Sequence, residues 1–185
     1  MKIETRIQDE WLALRCRTND PGAYADLVAR MEQPLLYYAW KLTGNRDAAL
    51  DVLQEAWIQA FRGIRKLRDP SAIRPWLYRI VHGISIDYLR HRSLESISET
   101  GDLESCEITG EESFTADDAA EVHRALDELP PAHREVLVLF FLEEFSIAEI
   151  AEATGCAEGT VKSRLHYAKK ALRTIISRRV YGQHA

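Results

Sequence analysis

SLESISETGDLESCEITGEESFTADD, residues 93–118, divides the chain. It holds nine carboxylates (Glu95, Glu99, Asp102, Glu104, Glu107, Glu111, Glu112, Asp117, Asp118) and no Lys or Arg. Its apolar residues, Leu94, Ile97, Leu103, Ile108 and Phe114, follow neither a helical nor a strand period, so they cannot gather on one buried face. Thr100-Gly101-Asp102 and Thr109-Gly110-Glu111 interrupt any helix that starts. The stretch reads as a flexible acidic linker. It is either a plain solvated spacer or a polyanion set between two nucleic-acid-binding blocks.

Working outward, both flanks show the 3–4 residue apolar period and few alternating segments. The expected fold class is all-α: two small helical domains, 1–92 and 119–185, joined by the linker 93–118. The net charge of -5 conceals a partition. Residues 1–92 carry 15 basic and 11 acidic groups, the linker none and nine, and 119–185 nine of each. Local charge governs steering and binding, so an acidic total does not exclude a nucleic-acid partner. Cys16, Cys106 and Cys156 form no CxxC and no Cys/His pair at metal spacing, so no metal or cofactor is expected. An odd cysteine count with no charged-then-apolar leader suits a reducing cytoplasm, and no apolar run approaches the length of a membrane span.

Before the linker, a short helix is expected over 10–17, with Trp11, Leu12 and Leu14 apolar. A second starts after Asn19-Asp20-Pro21, carries the stripe Tyr24, Leu27, Val28 and Met31, and is expected to kink or break at Pro34. Asn45 or Asp47 caps a third, which buries Ala49, Val52, Leu53, Ala56, Ala60 and Ile64. Its other face carries Asp51, Gln54, Glu55 and Ile58, one turn apart and flanked by Trp57 and Phe61. Carboxylates beside exposed aromatics suit contact with a basic protein. A plain solvated face is the alternative.

Beyond Ala56 the charge changes sign, with eight basic residues to Arg92 against Asp69 and Asp87. Arg65, Lys66 and Arg68 fall in or beside a loop at Gly63 and Asp69-Pro70-Ser71. A fourth helix, about 73–91, points Trp76, Leu77, Ile80, Ile84 and Leu89 inward and leaves Arg79, His82, Tyr88 and His91 for its outer faces. Cations interleaved with aromatics match the needs of single-stranded nucleic acid, although core packing is the better reading of Trp76.

After the linker, one helix (119–129) ends at Pro130-Pro131 and another (132–142) is strongly apolar. Ser146-Ile147-Ala148-Glu149 matches a capping box, opening a short helix that stops near Thr154-Gly155. A second helix follows with the stripe Val161, Leu165, Ala168, Leu172 and Ile175. Helix, glycine turn, helix is the pattern of a duplex reader. From Thr160 onward there are seven basic residues and no acidic one. Lys162, Ser163 and His166 project from the turns that meet base edges in a major groove. Arg164, Lys169 and Lys170 are better placed for phosphates.

These blocks, in this order and spacing, resemble the bacterial extracytoplasmic-function (ECF) sigma factors of the sigma-70 family. Asp51-Val52-Leu53-Gln54-Glu55-Ala56-Trp57 and Arg74-Pro75-Trp76-Leu77-Tyr78-Arg79-Ile80 are similar to region 2. Leu129-Pro130-Pro131, Phe145 to Ala151 and Glu158 to Arg164 are similar to region 4. The resemblance implies a non-enzymatic protein that binds core RNA polymerase, through its β′ and β subunits, and promoter DNA. It implies that Asp51, Gln54, Glu55, Trp57 and Phe61 dock on polymerase. It implies that Arg65, Lys66, Arg68, Arg79, Arg90 and Arg92 engage a melted -10 element. Glu158, Thr160, Lys162, Ser163, Arg164, His166 and Lys169 would face a -35 element, the linker would thread a polymerase channel, and an anti-sigma factor would hold the protein silent. Gly83 and Ile84 depart from the polar and basic residues common there. A self-sufficient helix-turn-helix repressor or activator is the alternative; it leaves the α-helical face around Asp51 and the acidic linker without a role.

Overall fold

The computed structural model describes residues 3–96 and 116–182. The described residues are helical: α1 (Ile3–Arg17), α2 (Pro21–Thr43), α3 (Arg46–Gly63), α4 (Ile73–Ser96), α5 (Ala116–Asp127), α6 (Pro131–Leu137), α7 (Ile147–Thr154) and α8 (Glu158–Gly182). Short 3₁₀ turns, Ile64–Lys66 and Pro70–Ala72, join α3 to α4. A π-helical turn, Val138–Leu142, follows α6. Residues 97–115, the bulk of the acidic stretch, lie outside the described residues, and the linker expectation lies there with them. Its ends do not fit that expectation: α4 continues to Ser96 and α5 starts at Ala116.

Local chemistry sets the boundaries. Asp20 caps α2, its Oδ1 accepting from Gly22 N at 2.9 Å and Ala23 N at 3.3 Å. Those bonds, after the larger effect of the Arg15 guanidinium, hold its carboxyl below the usual range. Asn45, not Asp47, caps α3 by accepting from Ala48 N at 2.9 Å. Pro34 does not break α2, which runs unbroken from Pro21 to Thr43. A proline inside a helix costs roughly 3 kcal/mol. Leu27 and Met31 before it, and Leu35 and Tyr38 after it, are each almost fully buried. Burying one such side chain contributes about 1.5–3 kcal/mol, so the continuous buried stripe outweighs the lost bond.

α4 departs from its expected stripe too. Leu77, Tyr78, Val81 and Ser85 are buried, whereas Trp76, Ile80, Ile84 and Leu89 are half-buried. The reason is that α4 packs against α2 and α3 on one side and α7 on the other, so it is covered over more than one stripe. α1 starts earlier than expected and leaves Trp11 and Leu14 exposed.

One hydrophobic cluster runs from Leu12 in α1 to Ala168 in α8. Its centre is an aromatic chain. Tyr38 of α2 tilts against Tyr78 of α4 at 5.0 Å, and Tyr78 meets Phe145, which precedes α7, edge-on at 5.0 Å. The two helical units, 3–96 and 116–182, therefore share a core.

Candidate polymerase and nucleic-acid interfaces

The α3 face forms as the period of the sequence requires. Ala49, Val52, Leu53, Ala56 and Ala60 are buried, while Asp51, Gln54 and Glu55 are exposed beside Leu50, Ile58 and Phe61. Gln59 Nε2 donates to Glu55 Oε1 at 3.1 Å. Trp57 was expected to be exposed and is not: it is 9% exposed, its ring stacked on Phe61 at 5.8 Å. Phe61 is also met edge-on by Tyr24 at 5.2 Å. Trp57 thus supports Phe61 from beneath. Leu50 was missed, although its i, i+4, i+8 spacing with Gln54 and Ile58 carries the signal. The face offers three polar acceptors ringed by apolar side chains that water does not favour.

The next set lies on the turns after α3 and along α4. Arg65, Lys66 and Arg68 are exposed on the connection between the two helices. Asp69 folds that connection by accepting from Ser71 N at 3.0 Å and Ser71 Oγ at 2.7 Å. Arg79 is exposed on α4 at a shallow groove lined by Gln59, Trp76, Ile80, Gly83, Ile84 and Asp87. Arg90 and Arg92 are exposed as well, yet they stand about 17–20 Å further along the helix at ~1.5 Å per residue. The structure thus makes one basic region around the connection and Arg79, and a second at the far end of α4. His82 is not an outward group: its Nδ1 lies 2.6 Å from Glu135 Oε1.

The C-terminal motif is capped as its sequence indicates. Ser146 Oγ accepts from Glu149 N at 3.2 Å, and Glu149 Oε2 accepts from Ser146 N at 2.8 Å. Such a cap contributes about 1 kcal/mol. Gly155 closes α7 at φ 66°, its N–H donating to Ala151 O, a backbone shape that side chains resist. On α8, Glu158, Thr160, Lys162, Ser163 and His166 are exposed opposite buried Val161, Leu165 and Ala168. Two expected phosphate ligands meet groups of the molecule itself, Lys169 while remaining exposed. Arg164 is half-buried with Nη1 3.3 Å from Cys156 Sγ, and Lys169 Nζ sits 4.4 Å over the Phe140 ring. Sequence spacing puts both on the helix but cannot show that Cys156 and Phe140 wait beside them.

Among the described residues no cluster of His, Cys, Asp or Glu has metal-binding geometry, and no helix is long and apolar enough to cross a membrane. Burial pushes the Cys16 thiol up to about 11, which keeps it protonated.

A helix-turn-helix unit joined to a helical unit with one acidic and one basic face defines a nucleic-acid-binding protein that also docks on another protein. Residues 27–95 match the Sigma-70 region 2 family, and 119–172 match Sigma-70, region 4. RNA polymerase sigma factor SigV of Bacillus subtilis is 33% identical over 142 residues, 77% of this chain and 84% of that protein. ECF RNA polymerase sigma factor SigW of the same organism is 28% identical, covering 94% and 96%. Among solved structures, the sigma factor RpoE in complex with the anti-sigma factor NepR from Bartonella quintana has the same fold. Its TM-score is 0.74 at 23% identity, covering 83% of this chain and 96% of that one. The chain belongs to the ECF RNA polymerase sigma factors of the sigma-70 family. It directs RNA polymerase to promoters for transcription initiation, the work of a non-enzymatic factor.

Proposed function

We propose a division of that work among the three surfaces. The α3 face, with Asp51, Gln54, Glu55 and Phe61 over Trp57, docks on a basic element of core polymerase. The connection carrying Arg65, Lys66 and Arg68, with Arg79, Arg90 and Arg92 of α4, takes the -10 element and its melted strand. The outer face of α8, with Glu158, Thr160, Lys162, Ser163 and His166, takes the -35 element. Residues 1–92 and 119–185 are then the two working domains and 93–118 the spacer between them. The protein acts in the cytoplasm, without catalytic chemistry, and an anti-sigma factor holds it in reserve.

The observation that carries this reading is the segregation of charge. Carboxylates and apolar groups share one face of α3, whereas cations occupy the turns just beyond it and the outer side of α8. Acceptor groups facing a protein and cations facing phosphates cannot exchange places without repulsion. The test is run-off transcription with core polymerase on a pool of random promoters. Asp51→Ala/Glu55→Ala lowers affinity for core polymerase at least tenfold, about 1.4 kcal/mol, and abolishes transcripts. Lys162→Ala/His166→Ala leaves that affinity intact and removes the upstream motif shared by the transcripts. Equal loss of polymerase affinity in both variants refutes the division. Salt-sensitive duplex binding by the chain alone, with no transcripts, identifies an independent regulator instead.

A further inference from the structure

α1 (Ile3–Arg17) lies before residues 27–95, the stretch that matches Sigma-70 region 2, and the division of surfaces above gives it no task. Its inward side nevertheless carries a charge. Asp9 is 2% exposed, on the same face as the buried Leu12, Ala13 and Cys16. Its Oδ1 accepts from Arg30 Nε of α2. Its Oδ2 accepts no hydrogen bond among the described residues and faces Arg74 Nη1, in the first turn of α4, at 3.6 Å. A carboxylate taken out of water gains little net stability from such pairs, because desolvation offsets most of the attraction. What the pairs do fix is position, here that of α1 against the start of α4.

The start of α4 matters because the basic connection ends there. Residues 64–72 lead from Ile64 to Ile73, two anchors each 1% exposed, and α1 packs on both 3₁₀ turns of that segment. Each turn is closed by a backbone bond, Leu67 N donating to Ile64 O and Ala72 N to Asp69 O, both at 3.1 Å. Arg65, Lys66 and Arg68 are exposed on its outer side and repel one another. A segment so short, with like charges on one side, takes its shape from the surface beneath it. That surface is α1.

We propose that Asp9 is a positioning residue for strand capture. It ties α1 to the first turn of α4, and α1 in turn holds residues 64–72 in the shape that presents Arg65, Lys66 and Arg68 to the melted strand. The proposal rests on the -10 reading above. Cations held in place before the strand arrives lose less freedom on binding it, so the brace strengthens capture without touching DNA. Its removal leaves the neighbouring charges with other partners. Arg30 Nη2 still donates to Thr5 O at 3.3 Å, and Arg74 Nη2 to Glu143 Oε2 at 2.8 Å.

The test uses the full chain, first alone and then with core polymerase on a promoter recovered from the run-off pool. In Asp9→Asn, amide hydrogen exchange over residues 64–72 is expected to quicken at least tenfold, with exchange in α3 unchanged. Asp9→Glu keeps the charge and shifts it by one methylene, so exchange there quickens less. Permanganate reactivity of unpaired thymines then reads strand opening. Asp9→Asn lowers it at least fivefold while affinity for core polymerase stays within twofold. Lys66→Ala lowers opening as well, and the double variant Asp9→Asn/Lys66→Ala loses little more than the worse single one, because both act through one segment. Losses that multiply in the double variant overturn the proposal. So does unchanged exchange over 64–72 in a variant that keeps the helical circular dichroism of the wild type. A wild-type chain that protects 64–72 yet opens no promoter overturns the promoter reading instead.

Discussion

A methyl group at position 63 has no room: a Cβ there would stand 2.9 Å from Cζ2 of Trp76. The glycine lets the indole of α4 lie against the end of α3, just where the basic connection begins. Gly63→Ala is expected to lower the urea midpoint by an amount equivalent to about 1–3 kcal/mol, the cost of overpacking. Gly83→Ala is its counterpart. Its Cβ would meet nothing within 4 Å, and alanine is the better helix former by about 0.5–1 kcal/mol, so this variant is expected to raise the midpoint. The sequence marks both glycines as interruptions and cannot tell them apart, because the difference is which ring packs alongside. The same limit hid the burial of Trp57. Aromatic spacing placed it beside the acidic face, and only the packing of α3 shows that Phe61 lies outermost.

At the level of elements, the caps and stripes of α3, α7 and α8 were legible because they depend on neighbours within one or two turns. The π-helical turn was not. Val138 and Leu139 are buried within it and Glu143 follows it, buried against Arg74. That closure is imposed by contacts with α4, which no local pattern records. Burial pushes the Glu143 carboxyl up, opposed by the Arg74 charge. The docking of α5 on α2 supplies a pH test. Burial, then the charge of Lys41, depresses the His123 imidazole below its ordinary value, with Asp127 pulling the other way. A histidine depressed in the folded state contributes stability above its unfolded value, about 6.5. That stability is lost as pH falls through the folded value, since the unfolded chain binds the proton more readily. Tm is therefore expected to fall on acidification below neutrality, and to fall less in His123→Asn.

On the scale of the whole molecule, the sequence presents two helical units as independent, whereas the described residues of both share one core. Tyr38, Tyr78 and Glu135 explain why. Each lies on a helix whose own period accounts for it locally, and their convergence depends on three elements drawn from both sides of residues 97–115. A shared core predicts shared melting. Calorimetry of the wild type is expected to show one transition, with calorimetric and van't Hoff enthalpies in agreement. Two resolved transitions would mean that the units melt separately and that the shared cluster contributes little.

The positions of Arg164, Lys169 and Arg179 have a consequence for ionic strength. Each cation that neutralises a phosphate displaces a condensed counterion, so log K falls with log salt by about 0.9 per contact. Seven cations follow Thr160, but Arg164 lies half-buried against Cys156 and Arg179 on Glu128, while Lys169, over Phe140, stays exposed. Five then remain for phosphates, and the slope for duplex binding drops from about -6 to about -4.5. A titration of this chain on duplex DNA should give the shallower slope. α8 thus commits two of its seven cations to its own fold, and under the proposed -35 role it borrows affinity from whatever carries it to the promoter.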